Sequence, residues 1–195
     1  MDQYSQKRKH APRLESYDYS TPGAYFVTVC VKDGLCVLGN FANEKVDLTE
    51  AGKMIQKWWS ELESKFPSIE LDEYTIMPNH VHGIISIVGA DLCVRPSANL
   101  DQKKGAHIGA PLQTILQWFK TMATNEYIRG VKQLNWPPFS GKLWQRSYYD
   151  HIIRNDNALD KIRRYISQNP AQWEQDHHHP SNQTTGEPAD EICNL

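Results

Sequence analysis

Two histidines separated by one residue are the sharpest chemical feature of the chain. His80 and His82 flank Val81 at the start of a segment whose β-branched residues predict a strand. Residues two apart in a strand point to the same face, so the two imidazoles are expected to lie side by side. They can share one divalent cation if a third ligand arrives from elsewhere in the fold. The alternative is a pair of partly exposed histidines at the edge of a sheet.

A tyrosine and an amide stand at helical spacing further along the chain. Tyr165 and Asn169 are four residues apart in a segment with helical periodicity, so the phenol and the amide oxygen are expected to project from one face. The structural alternative is that Tyr165 borders the core, because an apolar stripe runs along the same helix. That stripe consists of Leu159, Ile162 and Ile166.

An aromatic and polar segment precedes that helix. Residues 143–151 read LWQRSYYDH, in which aromatic rings stand beside Arg146. Such rings can stack on nucleobases while the guanidinium holds a phosphate. The segment is equally consistent with a strand that buries its aromatic residues in the core. By residue type alone, Tyr148 and Tyr149 are rival nucleophiles to Tyr165.

Charge is distributed unevenly along the 195 residues, whose formal net charge is −2. Five of the 23 acidic residues follow residue 173 and none of the 21 basic residues does, so residues 1–173 carry a net charge of +3. A mildly basic body permits a phosphate-bearing partner without requiring one. Residues 1–20 are predicted to form a basic arm, and residues 174–195 an acidic, disordered tail. That tail contains His177, His178 and His179. These histidines are interpreted as part of the tail, and the alternative is that they form a metal site without a catalytic role.

Composition argues against two classes of protein. Hydrophobic residues make up 39% of the chain and charged residues 23%, which is typical of a globular protein and excludes a wholly disordered one. No run approaches the ~20 apolar residues of a membrane span. No apolar stretch follows the basic N-terminus, so a secretory signal is not expected. The four cysteines form no CxxC pair and are interpreted as reduced thiols in the cytoplasm.

The order of strands and helices predicts how these residues are positioned. Predicted strands cover residues 24–32, 69–76, 81–88 and 143–153, and predicted helices cover residues 49–66, 111–129 and 157–168. Residues 89–110 are predicted to form a loop. The order strand, helix, strand, strand, helix, strand, helix suggests an α+β fold, namely a ferredoxin-like antiparallel sheet with helices on one face. Residues 21–173 are expected to form this domain.

Several motifs together resemble one family of enzymes. Residues 77–85, MPNHVHGII, resemble the HUH motif of single-tyrosine transposases, and further segments narrow the resemblance to the REP-associated tyrosine transposases. The family's opening is matched by residues 17–19 and 23–28, its middle signature by residues 143–155, and its tyrosine segment by Tyr165-Ile166 and Asn169-Pro170. The matches follow the family's order. The resemblance implies a ferredoxin-like fold, in agreement with the order of the predicted elements.

The resemblance also implies an activity and roles for individual residues. It implies a metal-dependent endonuclease and strand transferase that cleaves single-stranded DNA at palindromic hairpins through a 5′-phosphotyrosine intermediate. Tyr165 would be the nucleophile, and His80 and His82 would bind Mg²⁺ or Mn²⁺, which suit a ligand set without thiolates. Relatives carry glutamine four residues after the tyrosine. This chain has Asn169 there, with Gln168 as the alternative third ligand.

Partners and competing functions follow from the same resemblance. Candidate contacts to the DNA backbone are Lys120, Arg146, Arg154, Arg163 and Arg164. The resemblance leaves the oligomeric state undecided between a monomer and a homodimer, because some relatives pair the tyrosine helix of one subunit with the histidines of the other. The main alternative function is a hairpin-binding regulator without nuclease activity. A replication nickase is disfavoured because 195 residues leave no room for a helicase, and a histidine-triad hydrolase because Ile84 stands where a third histidine belongs.

Overall fold

Four antiparallel strands form the central sheet of the computed structural model, which describes residues 18–88 and 110–182. In spatial order the strands are β4 (Ile69–Ile76), β5 (His80–Ile87), β1 (Gly23–Cys30) and β6 (Tyr149–Ile153). Each neighbouring pair is antiparallel. This is the strand order of a ferredoxin-like sheet, and the predicted α+β class is therefore confirmed.

Two helices cover one face of this sheet, and we call it the apolar face. They are α1 (Glu50–Lys65) and α2 (Leu112–Gln133), whose buried residues recur at the predicted helical spacing. Trp59 of α1 and Phe119 of α2 meet edge to face, with ring centroids 5.3 Å apart. Both belong to one buried cluster with Ile85 of the sheet. Burial of this large apolar surface supplies much of the stability of the fold.

The third helix, α3 (Asp156–Gln168), lies on the opposite face, which we call the site face. The expectation of helices on one face holds for α1 and α2, whereas α3 differs. Its residues Ile162 and Ile166 pack against Phe26 of β1 and Ile84 of β5 in a second buried cluster. The reason is that successive strand residues point to opposite faces, and the site face carries apolar residues of its own that need cover.

A short hairpin between β1 and α1 is absent from the sequence prediction. Strands β2 (Gly39–Ala42) and β3 (Lys45–Leu48) pair as a separate two-stranded sheet. Asn43 and Glu44 form its turn, with φ of 53° and 59°. Turns of this kind are usually signalled by glycine, so a glutamate at a positive φ hides the hairpin from sequence patterns.

Two predicted boundaries shift because of packing. Helix α2 continues past Gly130, where a loop was expected, and the ring of Trp136 packs so closely there that an added Cβ would lie 2.2 Å from it. Glycine at this position thus makes room for a neighbour within a helix. The predicted strand over residues 143–153 is regular only from Tyr149 onward, and Trp144 forms an isolated bridge with Val31.

Some predicted segments lie outside the described residues. These are the basic arm up to residue 17, most of the predicted loop over residues 89–110, and residues 183–195. Among the helices that the structure does describe, none is long and apolar enough to cross a lipid bilayer.

Candidate active site between strand β5 and helix α3

Strand β5 carries both histidines on the site face. In the register of the sheet, His82 pairs with Thr28 of β1 and His80 pairs with Cys30. Val81, between them, belongs to the cluster under α1 and α2. Both histidines are fully buried. The alternation of β5 thus places the two imidazoles together, as predicted, and the alternative of exposed histidines at a sheet edge does not describe them.

Hydrogen bonds fix the orientation of the His80 ring. The side-chain amide of Asn79 donates from Nδ2 to the carbonyl oxygens of Gly34 at 3.2 Å and His178 at 2.8 Å. Its Oδ1 therefore faces Nδ1 of His80, 2.8 Å away. An amide oxygen only accepts, so Nδ1 must donate, and Nε2 of the neutral ring carries a free lone pair.

The two imidazoles meet through their Nε2 atoms, which are 2.9 Å apart. On its other side, Nδ1 of His82 lies 2.9 Å from the hydroxyl of Thr28. Because Nε2 of His80 can only accept, Nε2 of His82 donates to it when no cation is bound, and Nδ1 of His82 accepts from the Thr28 hydroxyl; with a cation at the Nε2 atoms the hydroxyl can accept from Nδ1 instead. Adjacent nitrogens on an octahedral cation with bonds of about 2.1 Å would be about 3 Å apart, close to the separation here.

Burial keeps these rings neutral. It lowers the pKa of His80 and of His82 well below 6.5, and the nearby histidines lower both values further. Burial also lowers the pKa of His178 to about 3, aided by His177. It raises the pKa of the Cys30 thiol to about 12, with the carboxylate of Asp176 adding to the shift. The site therefore offers neutral imidazoles and no thiolate to a cation.

Helix α3 brings the candidate nucleophile to the histidines. The hydroxyl of Tyr165 lies 3.4 Å from Nε2 of His82. The Tyr165 ring stands edge-on to Phe26, with centroids 6.1 Å apart, and Phe26 in turn stacks on His82 at 5.4 Å. Tyr165 does border the second core cluster, as the structural alternative held, but its polar end reaches the imidazole pair.

The amide that follows Tyr165 is buried in the same site. Asn169 forms the C-cap of α3 and is 3% exposed, whereas Gln168 is exposed at the surface. The Nδ2 of Asn169 donates to Oδ2 of Asp176 at 3.0 Å. Its Oδ1 is buried and has no hydrogen-bond partner within the described residues. Asn169 is thus joined to His80 through Asp176, whose Oδ2 lies 3.8 Å from Nε2 of His80, and a buried amide oxygen without a partner is chemically able to bind a cation, whereas Gln168 is exposed.

Asp176 is a site residue that sequence reasoning missed. It is 7% exposed, and its Oδ2 lies 3.8 Å from Nε2 of His80. Ligand atoms of His80, His82 and Asp176 all fall within 4.8 Å of one another, as metal ligands do. The short spacing between Asn169 and an Asp-His-His run was the available signal, but the run resembles a polar tail.

Residues 174–182 are ordered, although the sequence predicted a disordered tail from residue 174 onward. A 3-10 helix covers Asn169–Gln175 and another covers Pro180–Asn182. Between them the backbone N–H of His178 donates to Oδ1 of Asp176 at 2.6 Å, and the His178 ring lies 4.5 Å from that of His80. This segment is ordered because its polar groups bond to one another and to the site.

The rival tyrosines occupy different surroundings. Tyr148 packs against the cluster on the apolar face. Tyr149 lies on the site face, where it pairs with Thr28 in the register of β6 and meets Phe26 edge-on at 6.3 Å. The hydroxyl of Tyr165, in contrast, lies 3.4 Å from Nε2 of His82. Tyr149 is therefore the fitting control for any test of Tyr165.

Two of the five predicted DNA contacts are bound to another part of the fold, and Arg164 donates from Nε to the carbonyl of Asp160 within α3 at 3.2 Å. Arg163 binds both carboxylate oxygens of Asp72 on β4, with the shortest N–O distance 2.6 Å. Lys120 of α2 donates from Nζ to the carbonyl of Gln145 at 2.6 Å. The remaining three, Arg146, Arg154 and Arg164, are exposed. As contacts to DNA, all five stay predictions.

Comparison with known proteins agrees with the fold. No protein-family model matches the chain. An uncharacterized protein of Haemophilus influenzae is 33% identical over 173 residues, which cover 84% of this chain and 89% of the relative. A solved structure of a REP-associated tyrosine transposase bound to a REP hairpin superimposes with a TM-score of 0.51 at 17% identity, covering 89% of this chain and 74% of that one. The chain therefore belongs to the family of the Haemophilus influenzae protein, and its fold is that of a REP-associated tyrosine transposase.

Proposed function

We propose that the protein cleaves and rejoins single-stranded DNA at palindromic hairpins, with Tyr165 as the nucleophile and a divalent cation, Mg²⁺ or Mn²⁺, at the histidines. The observation that carries the proposal is the 3.4 Å separation between the Tyr165 hydroxyl and Nε2 of His82. Two neutral imidazoles stand at this contact, and Asn169, whose buried Oδ1 has no hydrogen-bond partner among the described residues, is linked to His80 through Asp176. A phenol beside such a ligand set suits phosphoryl transfer better than any packing role.

The cation would be held by His80, His82 and Asn169, with Asp176 as a further oxygen donor. Support comes from the buried Oδ1 of Asn169, which lacks another partner among the described residues, and from the close spacing of the histidine and aspartate ligands. When bound, the ion supplies positive charge that stabilises the negatively charged scissile phosphate.

Tyr165 would attack the phosphorus of a phosphodiester. A bond forms between the phenolic oxygen and phosphorus while the bond from phosphorus to O3′ breaks. The phenol loses one proton and the departing O3′ gains one, so the products are a 5′-phosphotyrosine and a free 3′-hydroxyl. The energy of the phosphodiester is kept, and a 3′-hydroxyl on another strand can reverse the step. Packing against Phe26 limits the motion of the Tyr165 ring and keeps the phenol near the imidazoles.

Binding of the strand would rely on exposed basic residues. Arg146, Arg154 and Arg164 are exposed and carry charges that a DNA backbone can meet. Lys120 and Arg163 are held by other groups and would contribute less. The structural neighbour is bound to a REP hairpin, and by analogy we propose a stem-loop DNA as the partner of this chain.

The test uses a DNA stem-loop from palindromic repeats flanking the gene, with single-stranded arms labelled at the 5′ or the 3′ end. Wild-type protein with Mn²⁺ is expected to form a covalent adduct that survives denaturing electrophoresis and maps to Tyr165 by mass spectrometry. Tyr165→Phe should bind the stem-loop but form no adduct, while the control Tyr149→Phe should form it.

Three outcomes would contradict the proposal. An adduct formed by Tyr165→Phe, or one mapped to Tyr149, would reject the assignment of the nucleophile. Full-rate cleavage in EDTA would reject the cation. Tight stem-loop binding by the wild type without any adduct in Mg²⁺ or Mn²⁺ would favour a hairpin-binding regulator.

A further inference from the structure

A cleft of about 540 Å³ opens at the outer edge of β4, and we call it the edge cleft. It lies between β3, α1, the end of β4 and the residue that follows Asn169. Its lining comprises Lys45, Val46, Leu48, Gln56, Tyr74, Thr75, Ile76 and Pro170. Ligand sites of nucleotide size usually measure about 300–1,000 Å³, so the edge cleft is large enough for one nucleotide.

The edge cleft adjoins the candidate active site on two sides. Thr75, which lines it, pairs with His82 in the register between β4 and β5. Neighbouring strands are about 4.8 Å apart, less than the length of one nucleotide along an extended strand. Pro170, on the other side, directly follows Asn169. A strand whose phosphate lies at the histidines can therefore reach the cleft with its next nucleotide.

The lining chemistry suits a base and a phosphate. The Tyr74 ring is braced by Trp59, with centroids 6.1 Å apart, and its hydroxyl lies 3.5 Å from Nε2 of Gln56. Lys45 is exposed at the start of β3 and forms no ion pair with any carboxylate in the described part of the chain. No acidic side chain is among the described residues that line the cleft. A rigid aromatic ring, an amide and an uncommitted ammonium are the groups that bind a nucleotide.

We propose that the edge cleft binds the nucleotide of the single strand next to the phosphate that Tyr165 attacks. The base lies against Tyr74 and Pro170, Gln56 offers its amide to the base edge, and Lys45 meets the phosphate. This inference rests on the proposed function, since it takes the histidine site as the place of cleavage. It makes the edge cleft a determinant of which nucleotide flanks the cleaved bond.

The first test maps the strand by photocrosslinking. A stem-loop with single-stranded arms carries 5-iodouracil at one arm position at a time and is bound to the Tyr165→Phe protein, so that no strand is cleaved. Irradiation is expected to crosslink Tyr74 from one arm position next to the cleavage site, as mapped by mass spectrometry. Crosslinks confined to other residues at every arm position would overturn the proposal.

The second test measures stem-loop affinity of full-length variants by fluorescence anisotropy. Tyr74→Leu is expected to weaken binding roughly 10-fold through lost stacking, whereas Tyr74→Phe should keep wild-type affinity. Lys45→Ala should weaken binding and make it less salt-dependent, whereas Lys132→Ala, which removes the same charge at the end of α2, should not. Equal affinities for Lys45→Ala and Lys132→Ala would count against the cleft even if Tyr74→Leu failed to fold.

Failure of this inference differs from failure of the proposed function. Adduct formation by wild-type protein with crosslinks that avoid Tyr74 rejects the edge cleft alone. A Tyr74 crosslink without any adduct from the wild type keeps the cleft as a nucleotide site and rejects cleavage.

Discussion

The two faces of the sheet bury opposite kinds of residue within one strand. On the apolar face, Val81 and Ile85 of β5 pack under the helices, and Gly83 leaves space for the Trp59 ring, since a Cβ there would lie 2.3 Å from it. On the site face, the same strand buries His80 and His82 completely. The apolar face is stabilised mainly by shape and area, although it buries the Nε1 atoms of Trp59 and Trp144 without a hydrogen-bond partner among the described residues.

The site face needs a partner for each polar group as well. His80 has Asn79, His82 has Thr28, and Asn169 has Asp176 through its amide nitrogen. The Oδ1 of Asn169 is buried and has no hydrogen-bond partner among the described residues, and we propose it as a cation ligand. A buried atom without a partner therefore marks a candidate cation position only where it is an acceptor, since the unsatisfied Nε1 atoms of Trp59 and Trp144 are donors that no cation could bind.

Substitutions on the two faces are expected to separate stability from cleavage. Trp59→Ala should lower the free energy of unfolding by about 3–5 kcal/mol, because it empties the core under α1. His82→Ala should abolish cleavage and lower that free energy by only about 1–2 kcal/mol. Urea unfolding followed by fluorescence, together with the adduct assay, measures both. Equal losses of stability would show that the site face also carries the fold.

Removing the partner of His82 should weaken metal binding without removing a ligand. Thr28→Val has nearly the same shape but no hydroxyl, so nothing orients the His82 ring through Nδ1. We expect the Mn²⁺ affinity to fall about 10–100-fold, as titration calorimetry would record. The control Thr121→Val removes an exposed hydroxyl from α2 and should leave the affinity unchanged. An unaltered Thr28→Val affinity would mean that packing alone orients His82.

Acid should destabilise the metal-free protein through the site face. Burial lowers the folded-state pKa of His80 and His82, so below pH 6.5 the unfolded chain binds protons that the folded chain does not. Stability is therefore complete above that pH and falls as the pH drops, by about 1.4 kcal/mol per pH unit for each histidine. Urea unfolding in EDTA at several pH values measures the slope. A His80→Gln/His82→Gln variant should show a shallower slope, and an unchanged slope would contradict this origin.

The smallest effect is expected at the rim of the site face. Arg163 and Asp72 join α3 to β4, but their side chains are 43% and 23% exposed. Solvent screens such pairs, so a double-mutant cycle with Arg163→Gln and Asp72→Asn should give a coupling energy below about 1 kcal/mol. A larger coupling would mean that this ion pair, rather than the apolar contacts of Ile162 and Ile166, holds α3 in place.

Local periodicity predicts most of the fold and the core of the candidate site. Alternation along β5 predicts that His80 and His82 share a face, and helical spacing predicts the same of Tyr165 and Asn169. Both patterns are properties of a single element, so they are visible without the tertiary structure. The roles of these residues stay predictions.

Contacts between distant parts of the chain are not visible in this way. Asp176 lies close to His80 although 95 residues separate them in the sequence, and its sequence surroundings are polar and aperiodic. The β2–β3 hairpin is not predicted from the sequence for a local reason. Glu44 in its turn adopts a positive φ, which glutamate rarely does. The position of α3 on the site face likewise cannot be predicted from α3 alone, because it depends on which residues the whole sheet presents there.

Asn79 has a thermodynamic consequence for the site. Its two carbonyl contacts fix the amide, and the amide oxygen fixes the proton of His80 on Nδ1. Because the ring is already neutral at physiological pH, a metal ion that binds at Nε2 has no proton to displace there. In terms of linked equilibria, the imidazole loses its proton on folding, so metal binding is not coupled to that deprotonation. The Mn²⁺ affinity should then stay nearly constant between pH values of about 8 and about 6, where an exposed histidine site would lose its metal to protons.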